Sequence, residues 1–360
     1  MSAILNIGVL LGSLNGAGAE KTLLTLASQF NADGHHVTLF TLSDHSDYIL
    51  PNGITQVVIG DGSRRKQCKT LHNASAQLDL DLYITSKPNY YAAAVAKSRI
   101  CSVHITPSAW LAPPDKKPFK RMSQLFRLRN KYRGKKLVAL SEGIRDDLIK
   151  QIRCKPDNVT VIPNPYQIDE IRKKGDEEGR LPDARYIIYV AALIPRKRHA
   201  DLLRAFSQLS QKDIKLVLAG KGKSEAGLKN LAHQLGIADR VIFWGWDPNP
   251  YRLIRHASLS VLASEAEGLP RVVVESLILG VPVVSTNCPS GPAEVLTGAL
   301  TEWLVPVGDT DSMSKAMDKA LKSYPDLKDF DSSRFEARAV AQKYIDFHNA
   351  ENIQADRPCS

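Results

Sequence analysis

The fold is decided by the stretch from Leu259 to Glu275, Leu-Ser-Val-Leu-Ala-Ser-Glu-Ala-Glu-Gly-Leu-Pro-Arg-Val-Val-Val-Glu. Residues 259–262 are a short apolar strand. A loop carrying two acids and a glycine follows, and then a helix with Pro270 in its first turn, where a missing N–H costs nothing. Strand, tight loop and helix make one unit of a parallel α/β sheet. Gly268 lets a ligand approach the backbone closely. The helix start offers N–H groups and a positive dipole end, which suits a phosphate. At about 1.5 Å rise per residue, Glu267 and Glu275 stand roughly 10 Å apart along the axis. A glycosidase acid/base pair needs roughly 5–9.5 Å. The two carboxylates therefore suit two parts of one long ligand, such as a sugar and a ribose. Spacing alone equally allows two solvated helix charges.

The same rhythm runs outward in both directions. Short apolar runs at 4–11, 37–42, 56–60, 82–85, 100–105, 137–140 and 159–162 read as strands. Residues 19–30 read as a helix, and 142–152 as another capped by Ser141. The pattern breaks at 158–179, where Pro163, Asn164 and Pro165 make a stiff turn and 172–179 reads as linker or frayed helix. It restarts with strands at 186–191, 214–219, 241–243, 259–262 and 282–286. The expected class is α/β, with two doubly wound, Rossmann-like parallel-sheet domains. Their expected limits are 1–165 and 166–332. A helical tail from about 333, periodic through Phe335, Val340, Tyr344 and Phe347, is expected to pack back on the first domain. Open parallel sheets bind ligands at the carboxyl ends of their strands, so two such sheets facing across a cleft can hold two substrates.

The composition excludes several classes. The 360 residues are 43% hydrophobic and 24% charged, which is neither a disordered nor a fibrous chain. Five scattered cysteines without a CxxC pair give neither a disulfide framework nor a zinc site. No apolar run reaches the roughly 18 residues of a membrane span, and the N-terminal apolar run lacks a basic leader. A cytoplasmic protein is expected. The net charge of +10 points to a polyanionic partner.

The Glu, seven residues and Glu, set in 267–296, resemble glycosyltransferase family 4, the retaining enzymes of GT-B fold. The resemblance continues through 159–169, 189–206, 218–222 and 240–245, in matching order and spacing. It implies that Glu267 contacts hydroxyls of the donor sugar and that Glu275 holds the ribose. Backbone amides near Gly268 and Leu269 would meet the sugar and diphosphate. Lys197 matches the residue that neutralises the diphosphate, a point-charge contact; without the resemblance it reads as a surface lysine in a basic loop. Where the family has Gly-Arg-Leu, this chain has Ala191-Ala192-Leu193, so Arg196 or Arg198 would have to replace the arginine missing at Ala192. Gly220 would lie near the nucleotide and Phe243 near the base, although Phe243 equally suits a core. Residues 290–294, with Gly291 and Glu294, could start another ligand-facing helix. Trp303 stands where many relatives carry glycine.

In the first domain the glycines at 12, 16 and 18 do not form a GxGxxG dinucleotide fingerprint. Residues 16–20 resemble the family's Gly-Gly-Ala-Glu loop, which places Gly16 and Gly18 in the cleft. His104 ends a strand, where relatives often carry a histidine on the donor sugar; a packed or capping histidine is the other reading. Between Lys116 and Lys136 lie ten basic residues and no acid, interleaved with Phe119, Met122, Leu125, Phe126 and Tyr132. Such a helix binds anionic membrane surfaces, though a merely solvated basic face has the same composition. Arg64, Arg65, Lys66 and Lys69 form a second cluster.

The resemblance implies a hexosyltransferase. It would move a hexose or N-acetylhexosamine from a nucleotide diphosphate-sugar, by default a UDP-sugar, to a glycan or lipid-linked glycan of bacterial surface polysaccharide. Neither a metal nor another cofactor is expected, since the nucleotide-sugar is a co-substrate. The enzyme would be cytoplasmic or peripheral on the inner membrane face. The competing readings are a sugar-nucleotide epimerase of the same fold, an inactive relative that only binds ligand, and a nucleic-acid-binding basic protein. No nucleic-acid motif supports the last.

Overall fold

Short runs that are apolar on both sides can only be satisfied in sheets covered on both faces, and the chain builds two of them. The structure is a computed structural model describing all residues except 1–2, 13–17, 45–49, 112–116, 328–329 and 356–360. One unit comprises Met1–Gln167 with Ser333–Ser360, and the other Ile168–Ser332.

The first unit contains, in chain order, β1 (Asn6–Leu11), α1 (Gly18–Ala32), β2 (His36–Thr41), β3 (Thr55–Val58), α2 (Arg64–Ala76), β4 (Leu82–Thr85), β5 (Ser98–Val103), α3 (Pro118–Tyr132), β6 (Lys136–Ala139), α4 (Glu142–Lys150) and β7 (Val159–Val161). Among the described residues its sheet has seven parallel strands in the order β3-β2-β1-β4-β5-β6-β7. Successive side chains alternate between two cores. Ile7, Val9 and Leu11 join Leu23, Leu26 and Phe30 of α1. Leu10 joins Phe40, Tyr83 and Leu71 of α2. The Ser141 side chain accepts from the Ile144 N–H and caps α4.

The C-terminal helix Ala337–Ala355 lies on the α1 side, through Val340, Ala341, Tyr344 and Ile345. The Tyr344 hydroxyl meets that of Ser102 on β5 at 3.2 Å. A single 3₁₀ turn, Ser333–Phe335, precedes this helix. The Tyr166 N–H donates to the Phe335 carbonyl there, and the Ala337 N–H donates back to the Tyr166 carbonyl.

The second unit runs α5 (Ile168–Gly175), β8 (Tyr186–Val190), α6 (His199–Ser207), β9 (Lys215–Ala219), α7 (Glu225–Gln234), β10 (Val241–Gly245), α8 (Pro250–Arg255), β11 (Leu259–Leu262), α9 (Arg271–Ile278), β12 (Val283–Thr286), α10 (Pro292–Val295), β13 (Leu304–Val305) and α11 (Thr310–Ala320). Its six described strands are ordered β10-β9-β8-β11-β12-β13. Numbered within the unit this is 3-2-1-4-5-6, the doubly wound order. The winding reverses between β8 and β11, and in the first unit between β1 and β4.

Two local expectations are corrected. Ile4 does not belong to β1; it is exposed and the strand starts at Asn6. The expected linker at 172–179 begins inside α5, because Ile168 and Ile171 give that helix a buried face. Trp303 is a core residue, buried and stacked on Tyr324 with ring centroids 4.6 Å apart.

Beneath the carboxyl ends of β8 and β11 lies a small polar cluster. The Tyr189 hydroxyl donates to the Lys197 carbonyl at 3.0 Å and lies 3.2 Å from the Ser264 hydroxyl. Thr286 donates to the Ser264 carbonyl at 2.6 Å. His199 is buried against the Tyr189 ring at 4.7 Å, and neither ring nitrogen has a hydrogen-bond partner among the described residues.

Burial, with Lys197 nearby adding to it, lowers the His199 imidazole from 6.5 to about 4. The folded form therefore refuses a proton that the unfolded chain accepts, and stability is full above pH 6.5. It falls as the pH drops from 6.5 towards 4, by on the order of 3 kcal/mol at most. Urea unfolding across that window should show this slope in the wild type and a flatter one in His199→Phe. Equal slopes would remove the assignment.

Candidate functional site

At the reversal point of a doubly wound sheet, neighbouring loops leave in opposite directions and open a crevice at the carboxyl ends of the strands. In the second unit those loops follow β8 and β11. The first carries Lys197 at the end of the 3₁₀ turn Pro195–Lys197, after which Arg198 takes a left-handed conformation with φ 48°. The second carries Glu267. The Lys197 Nζ and Glu267 Oε1 meet at 2.5 Å, with side chains only 16% and 14% exposed. Neither is a solvated surface charge. The Glu265 N–H donates to the Arg196 carbonyl at 3.0 Å and ties the two loops together.

Pro270 adopts extended geometry (ψ 111°) and precedes α9, instead of occupying its first turn as expected. As the N-cap residue, Pro270 makes no side-chain cap hydrogen bond. Gly268 and Leu269 are buried in the loop before it. Glu275 is also buried. Its Oε1 accepts from Arg271 Nε at 3.2 Å and from the Tyr251 hydroxyl at 3.4 Å. The solvated-charge reading thus fails for both glutamates. The Cys288 thiol, buried after β12, is pushed up to about 12 by burial, with Glu267 adding to it. It is protonated at neutral pH and is no nucleophile.

The remaining residues divide by surroundings. Arg198 pairs with Asp201 at 2.5 Å and with Glu265 at 3.4 Å, so its charge is already balanced within the unit. Arg196 is half-buried beside Lys197, and its Nε has no hydrogen-bond partner among the described residues. Gly220 is required by packing: a Cβ there would lie 2.0 Å from the Ala191 carbonyl oxygen. Gly291 (φ 92°) is similar, since its Cβ would meet the Gly268 carbonyl oxygen at 2.4 Å. The expected helix start at 290–294 is only the single turn α10, with Glu294 half-buried on it. A single turn lacks the aligned dipole that attracts anions.

Phe243 lies within β10, with the Lys229 ammonium of α7 5.3 Å from its ring. The ring beyond the carboxyl end of that strand is Trp246, 44% exposed, with Lys221 5.5 Å away. Trp246 was not expected. Its signal was a position just past the strand end, where Phe243 is inside the strand.

In the first unit, Gly16 lies outside the described residues, as does Lys116. Gly18 opens α1, and His104 directly follows β5, half-buried. At this sheet's own reversal point Glu20 of the 16–20 loop meets a lysine that the sequence reading did not single out. A Cβ on Gly12, just after β1, would lie 2.6 Å from the Lys87 Nζ and 3.0 Å from Glu20 Oε1. An ammonium and a buried carboxylate therefore converge over Gly12.

Residues 169–335 match the family described as glycosyl transferases group 1, and residues 16–170 match glycosyltransferase family 4. One curated relative is the N-acetylgalactosamine-N,N'-diacetylbacillosaminyl-diphospho-undecaprenol 4-alpha-N-acetylgalactosaminyltransferase of Campylobacter jejuni. It is 25% identical over 95% of this chain and 98% of its own length. The lipopolysaccharide 1,6-galactosyltransferase of Escherichia coli is 30% identical over 48% of each chain. Among solved structures, HepE of Anabaena in complex with UDP-glucose superposes with a TM-score of 0.72 at 18% identity, covering 98% of this chain and all of that one. Both halves of the chain, with their reversal points and paired sheets of GT-B type, are accounted for: the protein belongs to the group 1, family 4 glycosyltransferases.

Proposed function

We propose that the chain is a retaining, metal-independent glycosyltransferase. It moves a hexose or N-acetylhexosamine from a UDP-sugar to a glycan or lipid-linked glycan acceptor during bacterial surface polysaccharide synthesis. The single observation that carries this reading is the Lys197–Glu267 pair across the reversal point of the second sheet. The printed activities of the Campylobacter and Escherichia coli relatives, and the UDP-glucose held by HepE, agree with it.

The chemistry follows from the charges. Loss of a sugar from a UDP-sugar develops negative charge on the leaving diphosphate. Lys197, once it turns from Glu267, and the start of α9 supply donors to that charge, and donors in place before the reaction need no rearrangement during it. Arg196 stands beside Lys197 and is the better replacement for the arginine missing at Ala192, because Arg198 is held by Asp201 and Glu265. Glu267 accepts from sugar hydroxyls once Lys197 turns to the diphosphate. Glu275, oriented by Arg271 and Tyr251, takes the ribose. Attack comes from the face the diphosphate leaves, with a donor phosphate oxygen taking the acceptor proton, so no side-chain nucleophile is required. Lys87 and Glu20, which converge over Gly12 in the first unit, are assigned to binding the acceptor. The enzyme works in the cytoplasm, and the basic segment ending at Lys136 draws it to the anionic inner face of the membrane.

The test is a screen of nucleotide-sugars by thermal shift, since a ligand bound only by the native state raises the melting temperature. Transfer with the donor that binds, followed by NMR of the anomeric proton, should show a retained configuration. Inversion, or epimerisation of donor without acceptor, would reject the mechanism.

Glu267→Gln should lower turnover by about a hundredfold or more. Lys197→Ala should weaken donor binding and turnover together. Wild-type kinetics in either variant would displace the donor site. Lys87→Met should raise the acceptor KM while donor affinity stays constant; a matching loss of donor affinity would move Lys87 out of the acceptor role.

A further inference from the structure

The helix α9 follows the loop of Glu267 and runs for eight residues, roughly 12 Å, to Ile278. It closes in a Schellman arrangement. Gly280 takes a left-handed φ of 73°, its N–H donates to the Leu277 carbonyl, and the Val281 N–H reaches back to that of Ser276. Arg255 Nη1 donates to the Leu279 carbonyl at 2.7 Å. Pro282 has no N–H to offer the Ile278 carbonyl four residues earlier. Beside this helix end lies a cavity of about 560 Å³, within the size range of small-molecule sites. Its walls all belong to the second unit. They include Pro282, just before β12, so the cavity lies at the amino ends of the strands, whereas Lys197 and Glu267 stand at the carboxyl ends.

The lining has a polar part and an apolar part. In the polar part Arg255, the last residue of α8, meets Asp176, just past α5, at 3.2 Å. Arg172 lies one turn earlier on α5, and Asp326 adds a second carboxylate, so the charges of the lining cancel. The apolar part contains the buried Leu279 and the half-buried Leu327 and Phe330. Tyr324 joins them from a fixed position. Its hydroxyl donates to the Val283 carbonyl at 2.9 Å, and its ring is stacked on Trp303.

This lining selects against a net charge. An anion would meet two carboxylates and the carbonyl end of α9, and a cation would meet two guanidinium groups. A hydroxyl has no such conflict, because it accepts from a guanidinium and donates to a carboxylate or a carbonyl. Apolar side chains beside such groups call for a ligand with hydroxyls around its rim and C–H groups on its faces, which describes a pyranose ring. We propose that the cavity is a second carbohydrate site, remote from the reacting centre, that takes a neutral saccharide of one or two rings. Its hydroxyls bridge Arg255 and Asp176, and a C–H face lies against Leu327 and Phe330. The biological source, a glycan that the enzyme handles, rests on the proposed function; saccharide binding itself does not.

The experiment is saturation-transfer NMR on the full-length protein with galactose, N-acetylglucosamine, lactose and N,N′-diacetylchitobiose, each with and without excess UDP. At least one neutral saccharide should receive saturation at its ring protons, and UDP should leave that signal in place. Asp176→Ala should weaken the binding at least about tenfold, as expected for lost hydrogen bonds to a charged group. Its unfolding temperature should stay close to the wild type, since an exposed ion pair contributes little to stability. Leu327→Trp, which narrows the cavity without touching its charges, should weaken the same signal. Silence from all four saccharides would overturn the proposal. So would a signal abolished by UDP, a signal unchanged in both variants, or stronger binding of glucuronate or inorganic phosphate than of any neutral sugar. A melting shift with nucleotide-sugar, measured on the same samples, separates the two ideas. Donor binding without saccharide binding defeats only the second site, and saccharide binding without donor binding defeats only the enzymatic reading.

Discussion

The second unit is organised around an ammonium and a carboxylate held 2.5 Å apart where its sheet reverses direction. A nearly buried ion pair is a poor source of stability, because desolvating both charges offsets most of their attraction. The surrounding structure does the holding. Tyr189 donates to the carbonyl of Lys197, Ser264 links Tyr189 to Thr286, and a main-chain bond from Glu265 to Arg196 joins the two loops. Three adjacent strands, β8, β11 and β12, thus fix the position of the pair. Removing either charge would leave the other partly desolvated and without its partner.

Close approach of backbones sustains this geometry. At Gly220 the loop after β9 comes so near the Ala191 carbonyl that no side chain fits, and at Gly291 the loop after β12 supports the carbonyl of Gly268. The loop after β12 thus packs directly against the peptide before α9. The residues that looked most like phosphate-contacting glycines therefore serve first as spacers. The close packing at Gly291 fixes the position of the Gly268 carbonyl.

Much of this was legible in the residues. The alternating apolar runs give two doubly wound sheets, because period and length distinguish buried parallel strands from helices. Glu267 and Glu275 stood out by position and type and Lys197 only through the family resemblance, and all three prove to be largely withdrawn from solvent. Arg198 looked equivalent to Arg196 in the sequence. Only the fold shows Asp201 and Glu265 converging on it, a balance no local pattern reveals. Phe243 and Trp246 were separable only by the point at which β10 ends. Lys87 was invisible, and Glu20 stood out only as part of the loop at 16–20, for a different reason. Their meeting depends on β1 pairing with β4, where Ile7 stands opposite Leu82, and non-consecutive strand order is set by the winding and not by neighbouring residues.

The two units share a further regularity. Each sheet places one lysine and one glutamate at its reversal point, with the origins exchanged. In the second unit the lysine follows the first strand and the glutamate the fourth, Lys197 after β8 and Glu267 after β11. In the first unit the lysine follows the fourth strand and the glutamate opens the first helix, Lys87 after β4 and Glu20 in α1. The winding supplies the reason. Helix starts and unpaired strand ends bring main-chain N–H groups to this edge, and a lysine there deepens the positive potential. A carboxylate of the protein keeps that potential balanced, and it is the group a phosphate or a sugar hydroxyl is chemically equipped to replace or to engage.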